Sequence, residues 1–207
     1  MNIYIIRHGE TDYNRNNILQ GHINTHLNET GKKQAYRVAK YIKRNNLKFD
    51  KIYVSPLDRA QETAEIVSGR NRNDFIIDDR LIEIDYGENI DGKCIAELDE
   101  EIVSFLNDPL NVLPPKGVED ISHLMERVYS FIREIIKTNE DEQILIVTHG
   151  ETIRAFFACV EGLEYFIEDI WKMPINNCDL FYIRYKNKNF PYYCPDGGAI
   201  MGVCELS

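Results

Sequence analysis

The chain has 207 residues, 43% of them hydrophobic, which is enough to bury the core of one large domain carrying a lid-like insertion. Its 24 Lys+Arg against 34 Asp+Glu leave a formal net charge of −10; this argues against a nucleic-acid-binding or anionic-membrane surface, so any anionic ligand must be held by a few well-placed cations. No apolar run reaches the roughly 18 residues of a membrane helix, and Met1-Asn2-Ile3-Tyr4-Ile5-Ile6-Arg7 lacks the basic flank and cleavage site of a signal peptide, so a cytoplasmic protein is expected.

In chain order, strand-length hydrophobic runs alternate with segments of helical period. Asn2 to Ile6 reads as a strand, Thr30 to Lys43 as a helix, Lys51 to Val54 as a strand, Pro56 to Val67 as a helix and Phe75 to Ile77 as a strand. The clearest helix is Glu119 to Lys137, where Ile121, Leu124, Met125, Val128, Phe131, Ile132, Ile135 and Ile136 recur at three- and four-residue steps. Gln143 to Thr148 then reads as a strand, Thr152 to Val160 as a helix and Leu180 to Tyr185 as a strand. This rhythm predicts an α/β fold, a three-layer αβα sandwich around a mainly parallel sheet.

One domain over residues 1–207 is expected, with residues of about 88–120 inserted as a cap. From Glu88 to Asp120 there are nine acidic residues and two lysines, a short amphipathic segment around Ile95 to Leu106, and then Pro109, Pro114 and Pro115. Such a stretch breaks the βα rhythm and reads as an insertion over the sheet edge. The tail after Tyr185, with Phe190-Pro191-Tyr192-Tyr193 and Gly197-Gly198, is irregular. The five cysteines, Cys94, Cys159, Cys178, Cys194 and Cys204, contain no Cys-x-x-Cys pair, so reduced thiols are expected and not a disulfide or zinc framework.

Two tetrads carry the chemistry. Arg7-His8-Gly9-Glu10-Thr11 follows the first strand, and Thr148-His149-Gly150-Glu151-Thr152 follows the strand Gln143 to Val147. Parallel strands share one carboxyl edge, and ligands bind outside it, so both histidines should meet there. A lone histidine in such a place commonly does no more than satisfy a loop backbone; two in the same context favour a shared site. In Ser55-Pro56-Leu57-Asp58-Arg59-Ala60, Ser55 suits an N-cap and Pro56 a first helical position, which puts Arg59 in the first turn of a helix at a strand end. Arg59 then either reaches the same edge or lies exposed on the helix surface. His22 and His26, four apart but among Gly21, Asn24 and Asn28, read as surface polar residues of a loop, and His123 as the edge of a solvated helix face.

Taken together, the Arg-His-Gly-Glu-Thr opening, Ser55-Pro56-Leu57-x-Arg59-Ala60-x-x-Thr63-Ala64, Leu81-x-Glu83-x-x-x-Gly87 and Val147-Thr148-His149-Gly150 resemble the histidine phosphatase superfamily, the phosphoglycerate-mutase-like proteins, from Met1 to about Tyr185. The length is similar to that of its small cytoplasmic phosphatases, the broad-specificity and α-ribazole phosphatase-like branch. The resemblance implies a nucleophile at His8, phosphoryl contacts from Arg7, Arg59 and His149, further phosphate-side positions at Asn14, Gln20, Gly21 and Gly150, and an acid/base at Glu83. It implies no metal or other cofactor and a small phosphorylated metabolite as partner.

Physical chemistry fits those roles. Phosphoryl transfer needs in-line positioning and cancellation of charge on the equatorial oxygens, which two arginines, a histidine and the backbone N–H groups after Gly150 can supply. Glu83 would donate a proton to the leaving alkoxide if desolvation or a neighbour such as Asp85 raises its pKa; otherwise it is a solvated loop glutamate. There are departures from the pattern. Gly87-Glu88-Asn89-Ile90-Asp91-Gly92 lacks the family's frequent Trp, Ile18 stands where an arginine is frequent, and the mutase block Tyr-Gly-x-Leu-x-Gly-Leu-Asn-Lys is absent. With Lys93 and Lys116 set against nine carboxylates in the insertion, neutral or weakly charged monophosphate esters are expected as substrates. The alternatives are a cofactor-dependent phosphoglycerate mutase and a phospho-ligand binding protein without turnover. No heptad or interface stripe indicates an oligomeric state.

Overall fold

The computed structural model describes residues 1–138, 142–161, 167–185 and 201–203. Apart from residues 201–203, the tail after Tyr185 lies outside the described residues, as do two cysteines, Cys194 and Cys204. The elements are β1 (Asn2–Arg7), α1 (Asp12–Arg15), α2 (Glu29–Arg44), β2 (Lys51–Val54), α3 (Asp58–Ser68), β3 (Ile76–Ile77), α4 (Glu100–Asn107), α5 (Ile121–Thr138), β4 (Gln143–Thr148), α6 (Gly150–Glu161), α7 (Ile167–Lys172), β5 (Leu180–Arg184) and β6 (Met201–Val203). The sheet order is β3-β2-β4-β1-β5-β6. β1 to β4 run parallel, while β5 is antiparallel to both β1 and β6, so the sheet is mixed at one side.

The three layers follow from side-chain alternation along buried strands. Tyr4 and Ile6, Ile52 and Val54, and Leu145 and Val147 pack with Ala35, Val38 and Ile42 of α2 and Ala60, Ala64 and Val67 of α3. The intervening Ile3, Ile5, Tyr53, Ile144 and Ile146 face the other way, against Val128 and Phe131 of α5 and Ile153 and Phe157 of α6. The adjacent strands β1 and β4 therefore lead to helices on opposite faces of the sheet, α2 and α6. Their carboxyl ends are where such a sheet opens a crevice. No helix among the described residues is long and apolar enough to cross a membrane.

Several boundaries move for physical reasons. Asn28 caps α2 by accepting from the Gly31 amide at 2.9 Å, so that helix starts at Glu29. The expected cap of α3 is wrong: the helix begins at Asp58, not Pro56, and Ser55 is not its N-cap. The Ser55 hydroxyl lies 2.7 Å from His149 Nε2 instead, and the side chain of the distant Asn24 accepts from the Asp58 amide at 2.8 Å. The short helix α1 and the helix α7 have no counterpart in the periodicity; a capping box between Thr11 and Asn14 holds the former.

Residues 88–120 leave and rejoin the fold at one place. A Cβ on Gly87, whose φ is +79°, would lie 2.6 Å from the Gly117 carbonyl oxygen, and the Glu119 amide donates to Asp85 O at 2.7 Å. Near its start the segment bridges the β1–α2 loop, Ile18 to Cys94, and its Ile102 and Phe105 join the core on the α5 and α6 face. Cys94, Cys159 and Cys178 are free thiols, and burial pushes the latter two up to about 12.

Candidate active site

Register brings the two tetrads together. Arg7 of β1 pairs with Thr148 of β4, and Val54 of β2 with Val147 of β4, so His8, His149 and Ser55 each follow aligned strand ends. The imidazoles of His8 and His149 stand 5.1 Å apart. Arg7, His8, Asn14, Gln20, Gly21, Arg59, Glu83 and Gly150 line one cavity of about 350 Å³; its apolar wall is Ile18, Leu19, Tyr86 and Ile95.

His8 is 2% exposed, and its Nδ1 lies 2.7 Å from the Gly9 carbonyl oxygen. A carbonyl only accepts, so Nδ1 carries the hydrogen and Nε2 holds the lone pair. Burial, then Arg59 and Arg7, hold the ring well below the usual histidine range, so it stays neutral. Its loop is pinned from α3: the Gly9 amide donates to Thr63 Oγ1 at 3.0 Å, and Thr63 donates to Arg59 O at 2.7 Å. A Cβ on Gly9 would sit 2.7 Å from the Gly31 carbonyl oxygen, a contact that only glycine avoids.

His149 is fully buried. Its Nε2 is hydrogen-bonded to Ser55 Oγ at 2.7 Å, and that hydroxyl also accepts weakly from the Leu57 amide at 3.4 Å. Burial, Arg59 and His8 keep this ring neutral too.

Arg59 is 1% exposed, which excludes the surface-helix alternative. Its Nη1 and Nη2 donate to Ile23 O at 2.7 Å and Gly21 O at 2.8 Å. Burial lowers its pKa to about 10, leaving it charged at neutral pH. Arg7 donates from Nη1 to Ile175 O at 2.6 Å. Arg7 Nε, Arg59 Nε and His149 Nδ1 are buried without hydrogen-bond partners. Asn14 Oδ1 accepts from the Thr11 amide at 3.1 Å and from Asn177 Nδ2 at 3.2 Å. Gln20 Oε1 accepts from Thr11 Oγ1 at 2.8 Å and from Thr25 Oγ1 at 2.7 Å, so its carbonyl serves the loop.

Two expectations change here. The first amides of α6, at Glu151 and Thr152, point at the Glu83 carboxylate at 3.4 and 3.3 Å, so the helix N-terminus faces Glu83. The insertion's carboxylates and its two lysines do not line the cavity, to which this segment contributes Ile95. Asp85 is engaged elsewhere, its Oδ1 accepting from the Gly87 amide at 2.7 Å.

Other residues at the site had no assignment from the sequence. Arg127 of α5 donates to Ile82 O at 2.7 Å and Glu83 O at 3.1 Å while paired with Glu119, clamping the segment that carries Glu83. Its position three residues after Leu124 and four before Phe131, on the border of the apolar stripe, is a signal that periodicity contains. Arg154 lines the cavity, bonded through Nη1 to Glu151 at 2.5 Å and through Nη2 to Met173 O at 3.0 Å. A point at a Cβ on Gly150 is 3.8 Å from Arg154 Nη1, from Arg7 Nε and from Glu83 Oε2, so these three groups surround Gly150. Asn177 holds the His8 carbonyl oxygen at 3.1 Å.

Comparison with known proteins agrees with this edge. A family model described as the histidine phosphatase superfamily (branch 1) matches residues 3–192. The chain is 30% identical over 183 residues to phosphoglycerate mutase-like protein 4 of Arabidopsis thaliana, covering 86% of this chain and 79% of that one. It is 28% identical over 190 residues to phosphoserine phosphatase 1 of Hydrogenobacter thermophilus, covering 90% and 86%. The crystal structure of phosphoserine phosphatase from Entamoeba histolytica in complex with 3-phosphoglyceric acid superposes with a TM-score of 0.77 at 25% identity, over 98% of this chain and 95% of that one. A match of that extent, on a sheet whose aligned strand ends bring the two histidine tetrads together, decides kinship: the chain belongs to branch 1 of the histidine phosphatase superfamily.

Proposed function

We propose that the chain is a metal-independent phosphatase that hydrolyses small phosphomonoesters through a phosphohistidine on His8. The observation that carries this reading is the placement of two guanidinium groups, Arg7 and Arg59, around the neutral ring of His8, with carbonyl oxygens and no ion-paired carboxylate as their partners among the described residues. Glu83 lies near both guanidinium groups but is ion-paired with neither, and a buried cation without a paired charge is costly. A phosphoryl dianion supplies that charge and gives acceptors to Arg7 Nε, Arg59 Nε and His149 Nδ1.

On this reading His8 Nε2 forms a bond to phosphorus as the ester P–O bond breaks, and Glu83 gives its proton to the departing alkoxide. Glu83 then takes a proton from water, whose oxygen attacks phosphorus; the N–P bond breaks, and inorganic phosphate leaves a free His8. Arg59→Lys lowers kcat/KM on every phosphomonoester alike, on the order of 10²-fold, because a point charge cannot hold the Gly21 and Ile23 carbonyls and still span phosphoryl oxygens. Unchanged activity would return Arg59 to a purely structural role.

The substrate class follows from the rest of the cavity. Relatives named for phosphoserine, and one solved with 3-phosphoglyceric acid, support a small phosphorylated metabolite. Beyond the phosphoryl site the lining cation is Arg154, already committed to Glu151, beside the apolar Ile18, Tyr86 and Ile95. That wall suits a leaving group with at most one further negative charge and offers nothing to a second phosphate. Neutral or weakly charged monophosphate esters are therefore hydrolysed with higher kcat/KM than 2,3-bisphosphoglycerate or fructose 2,6-bisphosphate. Phosphate release from a panel of phosphorylated metabolites at matched ionic strength tests this. Efficient bisphosphoglycerate-dependent interconversion of 3- and 2-phosphoglycerate would favour the mutase instead, and binding without any turnover the non-catalytic reading.

A further inference from the structure

His22, one residue past the loop glycine, joins the two halves of the site without lining the cavity. Its Nε2 lies 2.8 Å from the Glu83 carbonyl oxygen, so Nε2 carries hydrogen and donates. Its backbone amide donates to Asp91 Oδ2 at 3.2 Å, and its Nδ1 is 3.7 Å from Asp85 Oδ2. Its neighbours on either side, Gly21 and Ile23, supply the two carbonyls that hold Arg59. The Glu83 carbonyl thus accepts from two sides, from Arg127 Nη2 at 3.1 Å and from His22. This fixes the peptide plane next to the Glu83 side chain, whose Oε1 is otherwise located by its own neighbour's amide at 3.1 Å and by Thr152.

We infer that His22 is a positioning residue for Glu83, tying the loop that holds Arg59 to the segment that carries the proton donor. The inference rests on the acid/base reading of Glu83. Misplacing a reacting group by about 1 Å costs up to roughly 10²-fold, so the loss of one clamp falls on the step that needs Glu83 and spares the phosphoryl contacts. His22→Ala lowers kcat for an alkyl monophosphate such as glycerol phosphate by about 10- to 10²-fold with little change in KM, and loses far less on p-nitrophenyl phosphate, whose leaving group scarcely needs a proton. His22→Gln, which keeps an N–H donor at similar reach, restores most of that loss. In a Glu83→Gln background, His22→Ala adds nothing further.

Equal losses on both substrates, as expected if the change acted through Arg59 or through folding, would overturn the inference, as would additive losses in the double variant or full activity in His22→Ala. A Glu83→Gln variant that slows both substrates alike removes the acid/base reading and the inference with it. A selective Glu83→Gln beside an unselective His22→Ala overturns the inference alone.

Discussion

Replacing His8 with alanine abolishes phosphatase turnover, by a factor on the order of 10⁴–10⁶, the loss met when a nucleophile is removed from a cooperating catalytic set. The size follows from how much of the site exists to serve one ring nitrogen. The Gly9 carbonyl fixes the tautomer, burial with Arg59 and Arg7 keeps the ring uncharged, and Thr63 and Asn177 hold both ends of the peptide that follows it. Arginine and His149 contacts to phosphate survive the substitution, so the variant should bind phosphate or vanadate while failing to turn over. Rapid quenching of the wild-type protein should trap an acid-labile, base-stable phosphoenzyme that the variant lacks. Wild-type turnover should persist in EDTA and be inhibited by vanadate, whose trigonal-bipyramidal adduct resembles the transition state. Wild-type turnover in His8→Ala, or its abolition in the wild type by chelation, would refute the mechanism.

Glu83→Gln carries the second large effect. Its carboxylate sits beside Gly150, held by the Glu151 and Thr152 amides, and Arg127 and His22 fix the backbone behind it. On the acid/base reading this group acts on the leaving oxygen; the glutamine isostere still accepts through its one carbonyl oxygen but has no proton to give, and its NH2 cannot accept from the second amide. Hydrolysis of sugar and glycerol phosphates should fall by about 10²–10⁴-fold, and that of p-nitrophenyl phosphate far less. Equal losses on the two would move the acid to another group. Glu151 is then next to test, since it lines the cavity and burial raises its carboxyl above the usual range.

Much of this was legible in the sequence for a local reason. Buried parallel strands are short continuous apolar runs, and the residues that follow them must emerge at a common edge. Arg7, His8 and His149 therefore declared themselves as strand-end residues, and Thr63 was present in the quoted motif before its hydroxyl could be seen bonding the Gly9 amide. The errors share one cause. Ser55 looked like a helix cap because its neighbours form a capping pattern, yet its hydroxyl serves His149, 94 residues away. His22 lies exposed in a loop, as its neighbours predicted, but its bond to the Glu83 carbonyl, 61 residues on, left no local signal. The insertion's acidic composition suggested repulsion at the cavity, but composition does not say which way a side chain faces, and Ile95 is what the segment presents there.

The sequence by itself determined the α/β layering, the edge at which the two histidine tetrads meet and the residue types gathered there, because hydrophobic period and strand-end placement act over a few residues. Only the tertiary structure decided who supports whom. It placed Arg127, itself 44 residues from Glu83, behind the Glu83 backbone, turned the start of α6 toward the Glu83 carboxylate, and set Arg154 on the cavity wall. Those choices are made by hydrogen bonds between groups distant in sequence. Such bonds leave no periodic trace in the chain, because their geometry exists only once the sheet and helices have packed.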